Sequence, residues 1–282
     1  MITMLSDFGS KDSYVAAMKG AIAQIAPGIP TCDLTHEVLP HNILAARFNL
    51  LMAYPYFPQG TVHLAVVDPG VGSDRRAIAL QSPSGFFVGP DNGLFSGVLE
   101  REPALAAVNL TNSAYWRVPS PSATFHGRDI FAPVAAHLAT GVPIAEVGDR
   151  IDPASLVKPD LPTFSTDTLF EGNAKVAHYA GSFQYIDGFG NLITNIPAEA
   201  IPEGPWRLIL SFTKESSASQ TEGKREFAGV NTYGDVPVGA IAALIGSHGW
   251  VELACNGGSA AIALKDIAAI GTPVQVICAQ II

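Results

Sequence analysis

Along the first 152 residues, short apolar runs alternate with segments whose apolar residues recur at helical spacing, the pattern of parallel strand–helix–strand units. Ile2 to Leu5 reads as a buried strand and Asp7 to Asp12 as a polar loop. From Tyr14 to Ile25, the side chains of Val15, Met18, Ile22 and Ile25 share one helical face, and Pro27-Gly28 ends that helix. A second strand over Thr31 to Leu34, a helix from about Asn42 to Tyr54 and a third strand over Thr61 to Val67 repeat the rhythm. The third strand is apolar but for Thr61 and His63, which predicts a place inside a sheet covered on both faces.

The helical pattern stops at residues 153–168, where Pro153, Pro159 and Pro162 lie among charged and small polar residues; this stretch reads as a linker. Residues 169–282 then carry short runs separated by turn signals: Lys175 to Tyr179, Leu192 to Ile196, Trp206 to Phe212, Ala240 to Ile245, Val251 to Cys255 and Pro273 to Ile277. They predict a smaller antiparallel β-domain, with the Ser-rich, charged stretch Lys214 to Glu226 as an exposed loop. The expected fold class is therefore α/β: residues 1–152 with a mostly parallel central sheet, followed by a β-domain.

Composition narrows the function. Of 282 residues, 48% are hydrophobic and 15% charged, which excludes intrinsic disorder. The formal charge of −9 would repel a polyanion, so no nucleic-acid partner is expected. The longest uncharged apolar stretches, Val236 to Val251 and Ile267 to Ile282, fall short of the ~20 residues of a spanning helix, and the start of the chain lacks the look of a signal peptide. A cytoplasmic protein without membrane attachment is the expectation. Cys32, Cys255 and Cys278 have no metal-ligand spacing and read as free, buried thiols.

In open α/β sheets, ligands bind outside the carboxyl ends of the strands, so the loops there carry the candidate chemistry. Asp7 and Asp12 flank a Gly turn before the first helix, placed either to bind ribose hydroxyls or an ammonium, or to cap that helix. Asp68 follows the third strand directly, with Gly70, Gly72, Arg75 and Arg76 behind it; the alternative is a surface turn with a salt bridge. His126-Gly127 stands at the entrance of a helix holding Ile130, Val134 and Leu138, facing a cleft or merely packing. If both loops face one cleft, Asp68, Arg75 and His126 could form a group able to hold and polarise a water molecule. In the second domain, Tyr185 to Asn191, Ile245 to Trp250 and Asn256 to Ser259 are polar interruptions that also suit ordinary turns.

Taken in order, SDFGSKDSYV, DLTHEVLP, AVVDPGVGSDRRAIA, VGPDNGL, TFHGRDIFAPVAAHL, IDGFGNLITNI and GSHGWVELACNGGSA resemble the S-adenosyl-L-methionine (SAM) hydroxide adenosyltransferases, relatives of fluorinases and chlorinases. The resemblance covers nearly the whole chain. It implies hydrolysis of SAM to adenosine and L-methionine, with Asp68, Arg75 and His126 as the catalytic, water-handling set. It places Asp7 at the ribose hydroxyls, and Asp12, Tyr14, Asp187 and Ser247 around the methionine end. Asn191 falls at the adenine edge, with Phe189 and Tyr233 as aromatic surface nearby.

Where the halogenases have tyrosine, threonine and Tyr-Ser, this chain has Asp68, Val71 and His126-Gly127, which argues against a halide pocket. It also has His41 in place of a tryptophan near the ribose, and His248, which the resemblance places among the substrate-binding residues, in place of an arginine beside Ser247. The alternatives to hydrolysis are halide-dependent adenosyl transfer and non-catalytic SAM or nucleoside sensing. The resemblance further implies a barrel-like C-terminal domain, and homotrimers whose site lies between subunits. No metal or redox cofactor is implied, SAM being the substrate.

Overall fold

Strand β1 (Ile2–Ser6) is buried at all five positions, as an apolar run without alternation requires. The computed structural model describes residues 1–171, 174–216 and 219–279, in two units, Met1–Pro159 and Asp160–Ile282.

In the first unit, β1 is followed by β2 (Thr31–Thr35), β3 (Thr61–Val66), β4 (Ala77–Gln81), β5 (Gly85–Pro90), β6 (Ala106–Asn109) and β7 (Asp149–Arg150). They form one seven-stranded sheet in the order β2-β1-β3-β5-β4-β6-β7. The β1–β2, β1–β3 and β3–β5 pairs are parallel, whereas β4 runs against β5 and β6, and β7 against β6. All strands but β4 and β7 thus share one direction, and the sheet is mostly parallel as expected.

Helices α1 (Tyr14–Ile25), α2 (Ile43–Ala53), α3 (Ser96–Arg101) and α4 (Ala132–Ala139) complete the unit. Ile2 and Met4 of β1 pack with Val62 and Leu64 of β3, Met18 and Ile22 of α1, and Val134 and Leu138 of α4. Because side chains alternate across a strand, the opposite face carries Thr3 and His63. There the His63 ring stacks on Phe87, and Tyr54, just past α2, meets both rings edge-on.

The second unit is antiparallel: β8 (Ser165–Glu171), β9 (Ala174–Ile186), β10 (Leu192–Pro197), β11 (Trp206–Ser216), β12 (Ser219–Ala228), β13 (Ile241–Ile245), β14 (Trp250–Cys255) and β15 (Pro273–Ala279). Its path is β12-β11-β15-β9-β10-β14-β13, with β8 on β9. β9 runs for 13 residues and changes partner, from β15 to β10, at Ser182–Phe183. The two ends of the sheet approach where the Val230 N–H donates to the Ala243 carbonyl at 2.9 Å, which makes a nearly closed barrel around Phe183, Leu192, Leu208, Leu253 and Val276.

Three expectations need adjustment. The stretch Lys214 to Glu226 is not a loop: β11 and β12 pair in register from Arg207↔Ala228 to Ser216↔Ser219. An antiparallel strand at a sheet edge tolerates charged and polar residues, so polarity did not mark an interruption. Residues 217 and 218 lie outside the described residues. Within the expected linker, Leu156 is buried in the first unit, the Val157 N–H donates to Asp91, and β8 begins at Ser165. All three thiols are free, but only Cys278 is buried, with Cys32 and Cys255 partly exposed.

Candidate active site

Parallel β1 and β3 lie side by side, so the loops that follow them emerge from the same edge of the sheet. β1 delivers Asp7 and β3 delivers Asp68. Neither Asp7 nor Asp12 caps α1, whose N-cap Ser13 makes no side-chain cap bond. Instead an Asp7 carboxylate oxygen accepts the His41 N–H at 2.8 Å. His41 is the one described non-Gly residue with positive φ, 67°, a conformation disfavoured for a residue with a Cβ. His36, unassigned from sequence, holds the loop from below: its Nδ1 is 2.7 Å from Ser6 Oγ and its carbonyl accepts the Gly9 N–H at 2.7 Å.

Asp68 and Arg75 form a two-pronged pair, Nε donating to Oδ1 at 2.9 Å and the terminal guanidinium nitrogen to Oδ2. Their side chains are 6% and 11% exposed, which replaces the reading as a surface salt bridge with a largely desolvated one. The same guanidinium is 2.9 Å from His126 Nδ1 and sits over the Phe131 ring. Burial and the Arg75 charge hold the His126 pKa below its usual value, partly opposed by Asp68 and Asp129.

The His126 turn is fastened from behind. Asp129 is fully buried and accepts from Arg128, from Arg117 Nε and from the Ser122 N–H. These bonds, led by that from Arg128, hold its carboxyl far below the usual carboxylate range. Asp129 therefore spans the loop that carries His126. Residues 127–131 form a π-helical turn before α4. Gly72 lets the Asp68–Arg75 loop pass this one, since a Cβ there would lie 2.5 Å from the Ala123 carbonyl oxygen.

Asp7, Tyr14, His41, Asp68 and His126 line one cleft of about 490 Å³, together with Phe8 and Phe125. Phe8, Tyr14 and Phe125 form a ring cluster with centroids 5.3 to 5.8 Å apart. Asp12 is exposed in the loop before α1. A larger hollow of about 780 Å³ in the C-terminal unit, lined by Phe212, Lys224 and Lys265 among others, is lined by none of the candidate residues.

The remaining candidates lie in the C-terminal unit. Asp187 organises the turn after β9, accepting the Phe189 and Asn191 N–H groups at 2.9 and 2.8 Å and the Asn191 side-chain amide at 3.0 Å. Gly190 packs so closely on Ser259 that a Cβ would fall 2.0 Å from its hydroxyl. Asn191 is buried, whereas Phe189 and Ser247 are exposed and Tyr233 is half exposed. The Tyr233 hydroxyl donates to Glu252 at 2.9 Å, and His248 Nε2 is 2.8 Å from the other oxygen of that carboxylate. Partial burial and Glu252 push the Tyr233 pKa up to about 12. Glu252 went unnoticed in the sequence, although a single acid within the apolar run WVELAC was a signal.

Residues 2–148 match the SAM hydroxide adenosyltransferase N-terminal domain and residues 181–268 the C-terminal domain of the same family. The chain belongs to the SAM hydroxide adenosyltransferase family. An (R)-S-adenosyl-L-methionine hydrolase of Salinispora tropica is 39% identical over 92% of this chain and 92% of its own. A fluorinase of Actinoplanes sp. is more distant, 30% identical over 70% of this chain and 71% of its own. The fold of this adenosyltransferase-family chain is also that of a solved Thermotoga maritima protein, with a TM-score of 0.82 and 34% identity over 99% of this chain and 100% of that one.

Proposed function

We propose that the protein hydrolyses SAM at the ribose 5′ carbon, giving adenosine and L-methionine. The observation that carries this reading is the Arg75 guanidinium joining Asp68 and His126 on the wall of the cleft. Family membership and a hydrolase relative at 39% identity point the same way.

The sulfonium is already a good leaving group, so the task is to hold an oxygen in line behind the 5′ carbon. The new C5′–O bond forms as the C5′–S bond breaks, and its electron pair returns to sulfur as the neutral thioether of methionine. No cofactor is required for that step. Arg75 is a donor only, so His126 Nδ1 accepts and the hydrogen of the neutral ring sits on Nε2. His126 then orients the nucleophilic oxygen by donating to it, while Asp68 accepts a proton from the attacking water. Arg75 fixes the carboxylate and favours hydroxide character. Asp7 serves the ribose hydroxyls; Asp12, Tyr14, Asp187 and Ser247 serve the methionine end; Asn191, Phe189 and Tyr233 serve adenine.

Assembly is part of the proposal. Ribose- and water-side residues belong to one unit and most adenine- and methionine-side residues to the other, which supports a homotrimer whose site is completed by a neighbouring subunit. Exposed Leu39, Phe189, Val238 and Ile262 supply apolar surface for such contacts. Free thiols support a cytoplasmic setting, and among the described residues no helix is long and apolar enough to cross a membrane.

The test is incubation of the purified protein with SAM, with and without halide, followed by product analysis. Adenosine and methionine in the absence of halide are expected. A 5′-halogenated nucleoside, or SAM bound but unconverted, would overturn the reading.

A further inference from the structure

The C-terminal unit buries one carboxylate that the proposed reaction does not use. Glu252 stands in β14 with only 1% of its surface exposed. A carboxylate in such a place is costly unless its oxygens are matched by donors. Both are matched, Oε1 by the Tyr233 hydroxyl and Oε2 by His248 Nε2.

The hydrogen positions follow from a third bond. The Trp250 N–H donates to His248 Nδ1 at 3.1 Å, so that nitrogen is the acceptor and the ring hydrogen lies on Nε2, directed at Glu252. His248 thereby commits both ring nitrogens, and Tyr233 commits its proton. His248 thus turns its N–H inward, toward the buried carboxylate. Gly246 makes room for the pair, since a Cβ there would fall 2.4 Å from His248 Nε2 and 2.8 Å from Glu252 Oε2.

We infer that Glu252 is a positioning residue that locks Tyr233 and His248 into a preformed wall of the substrate site, and so sets affinity for SAM instead of the rate of attack. The inference rests on the proposed SAM reading. It follows from economy of geometry: a buried acid whose two oxygens are spent on two candidate binding residues, with a glycine clearing the space between them, organises those residues before any ligand arrives. His248 acts in this arrangement through its bond to Glu252.

The experiment compares KM and kcat for SAM in wild type, Glu252→Leu and Glu252→Gln. Leucine leaves the Tyr233 hydroxyl and His248 N–H without their acceptor, and KM is expected to rise about tenfold or more with kcat within about threefold. Glutamine can accept from His248 and donate to Tyr233 once the hydroxyl turns, so its KM should return to within about threefold of wild type. Should Glu252→Leu fail to fold, Gly246→Ala displaces the pair without removing a functional group and is expected to raise KM in the same way. A KM within about twofold of wild type in the folded leucine or alanine variant, a fall in kcat alone, or a glutamine variant no better than leucine would overturn the inference. Wild-type protein that neither turns over nor binds SAM in titration calorimetry would overturn the underlying reading as well, whereas active wild type with indifferent Glu252 variants overturns the inference alone.

Discussion

Arg75 donates to Nδ1 of His126 across 2.9 Å, so a permanent cation and an imidazole are hydrogen-bonded neighbours. The contact is favourable only while that nitrogen keeps its lone pair, and burial adds to the preference for the neutral ring. His126 is therefore expected to titrate, by NMR of the labelled ring, below the ordinary imidazole value of about 6.5. In Arg75→Gln the titration should move upward, because the repelling charge is gone while Asp68 and Asp129 remain. A wild-type value at or above about 6.5 would contradict the hydrogen-bond assignment.

Asp68→Ala and His126→Ala should each lower kcat by about a hundredfold or more while SAM affinity stays within about tenfold, since both act on the water and not on the nucleoside. Arg75→Lys should also lose much of the rate, because an ammonium cannot reproduce the two-pronged contact with Asp68 while reaching His126. Single-turnover rates and calorimetric titrations separate the two quantities. Equal losses in binding and turnover would move Asp68 and His126 out of the water-handling role.

How far this site was legible in the sequence depended on where each partner lies along the chain. Asp68 and Arg75 are seven residues apart across a glycine turn, and periodicity alone marked the strand before them. His126 lies 51 residues beyond Arg75, and strand-end placement made the three candidates for one group; the family resemblance singled that group out over a surface turn and a packed histidine, since spacing carries no information on which loops the sheet gathers. Helix α1 was readable to its ends because its apolar face and the Pro27-Gly28 stop agree. The hairpin β11–β12 was not, because charges on an edge ladder look like charges on a loop. Glu252, His36 and Asp129 act through partners delivered by other turns, strands and loops, and no local pattern announces that.

Asp129→Ala should destabilise the protein by about 1–3 kcal/mol, since it removes the acceptor of the Ser122 N–H and of the partly exposed Arg117 and Arg128 guanidiniums and leaves a buried gap. Urea unfolding measures the loss. Because the same carboxylate spans the His126 loop, kcat should fall even at temperatures where the variant is fully folded. Full activity in the folded variant would show that the loop holds His126 without this fastening.

Burial drives the His63 pKa down to about 4, against about 6.5 in an unfolded chain. Above the higher value neither state binds the proton and stability is unaffected. As pH falls through the interval, the unfolded chain takes up a proton that the folded protein refuses, and stability should drop by about 3 kcal/mol before levelling off. His126 and His137, also held below their usual values, add to the slope. In His63→Leu the loss of the Thr3 contact lowers stability at neutral pH, yet urea midpoints between about pH 7.5 and pH 4 should fall less steeply than in wild type. Parallel curves would assign the acid sensitivity elsewhere.

The proposed assembly makes a prediction that no single variant can test. Asp68→Ala removes a water-side group of the N-terminal unit, and Asp187→Ala removes the residue that organises the Phe189–Asn191 turn in the C-terminal unit. Each variant alone should be nearly inactive. If the working site takes its two halves from different subunits, mixing the two variants after dissociation and reassembly pairs some intact N-terminal halves with intact C-terminal halves. Activity should then return to part of the wild-type level, rising with the extent of subunit exchange. In a mixed homotrimer at equal proportions, random placement predicts about one quarter of the interfaces to be intact on both sides, which sets the expected ceiling near one quarter of wild-type activity. Exchange demonstrated by mass spectrometry with no recovery, or a monomer by sedimentation, would defeat the shared site while leaving the chemistry of Asp68, Arg75 and His126 to be judged on its own variants.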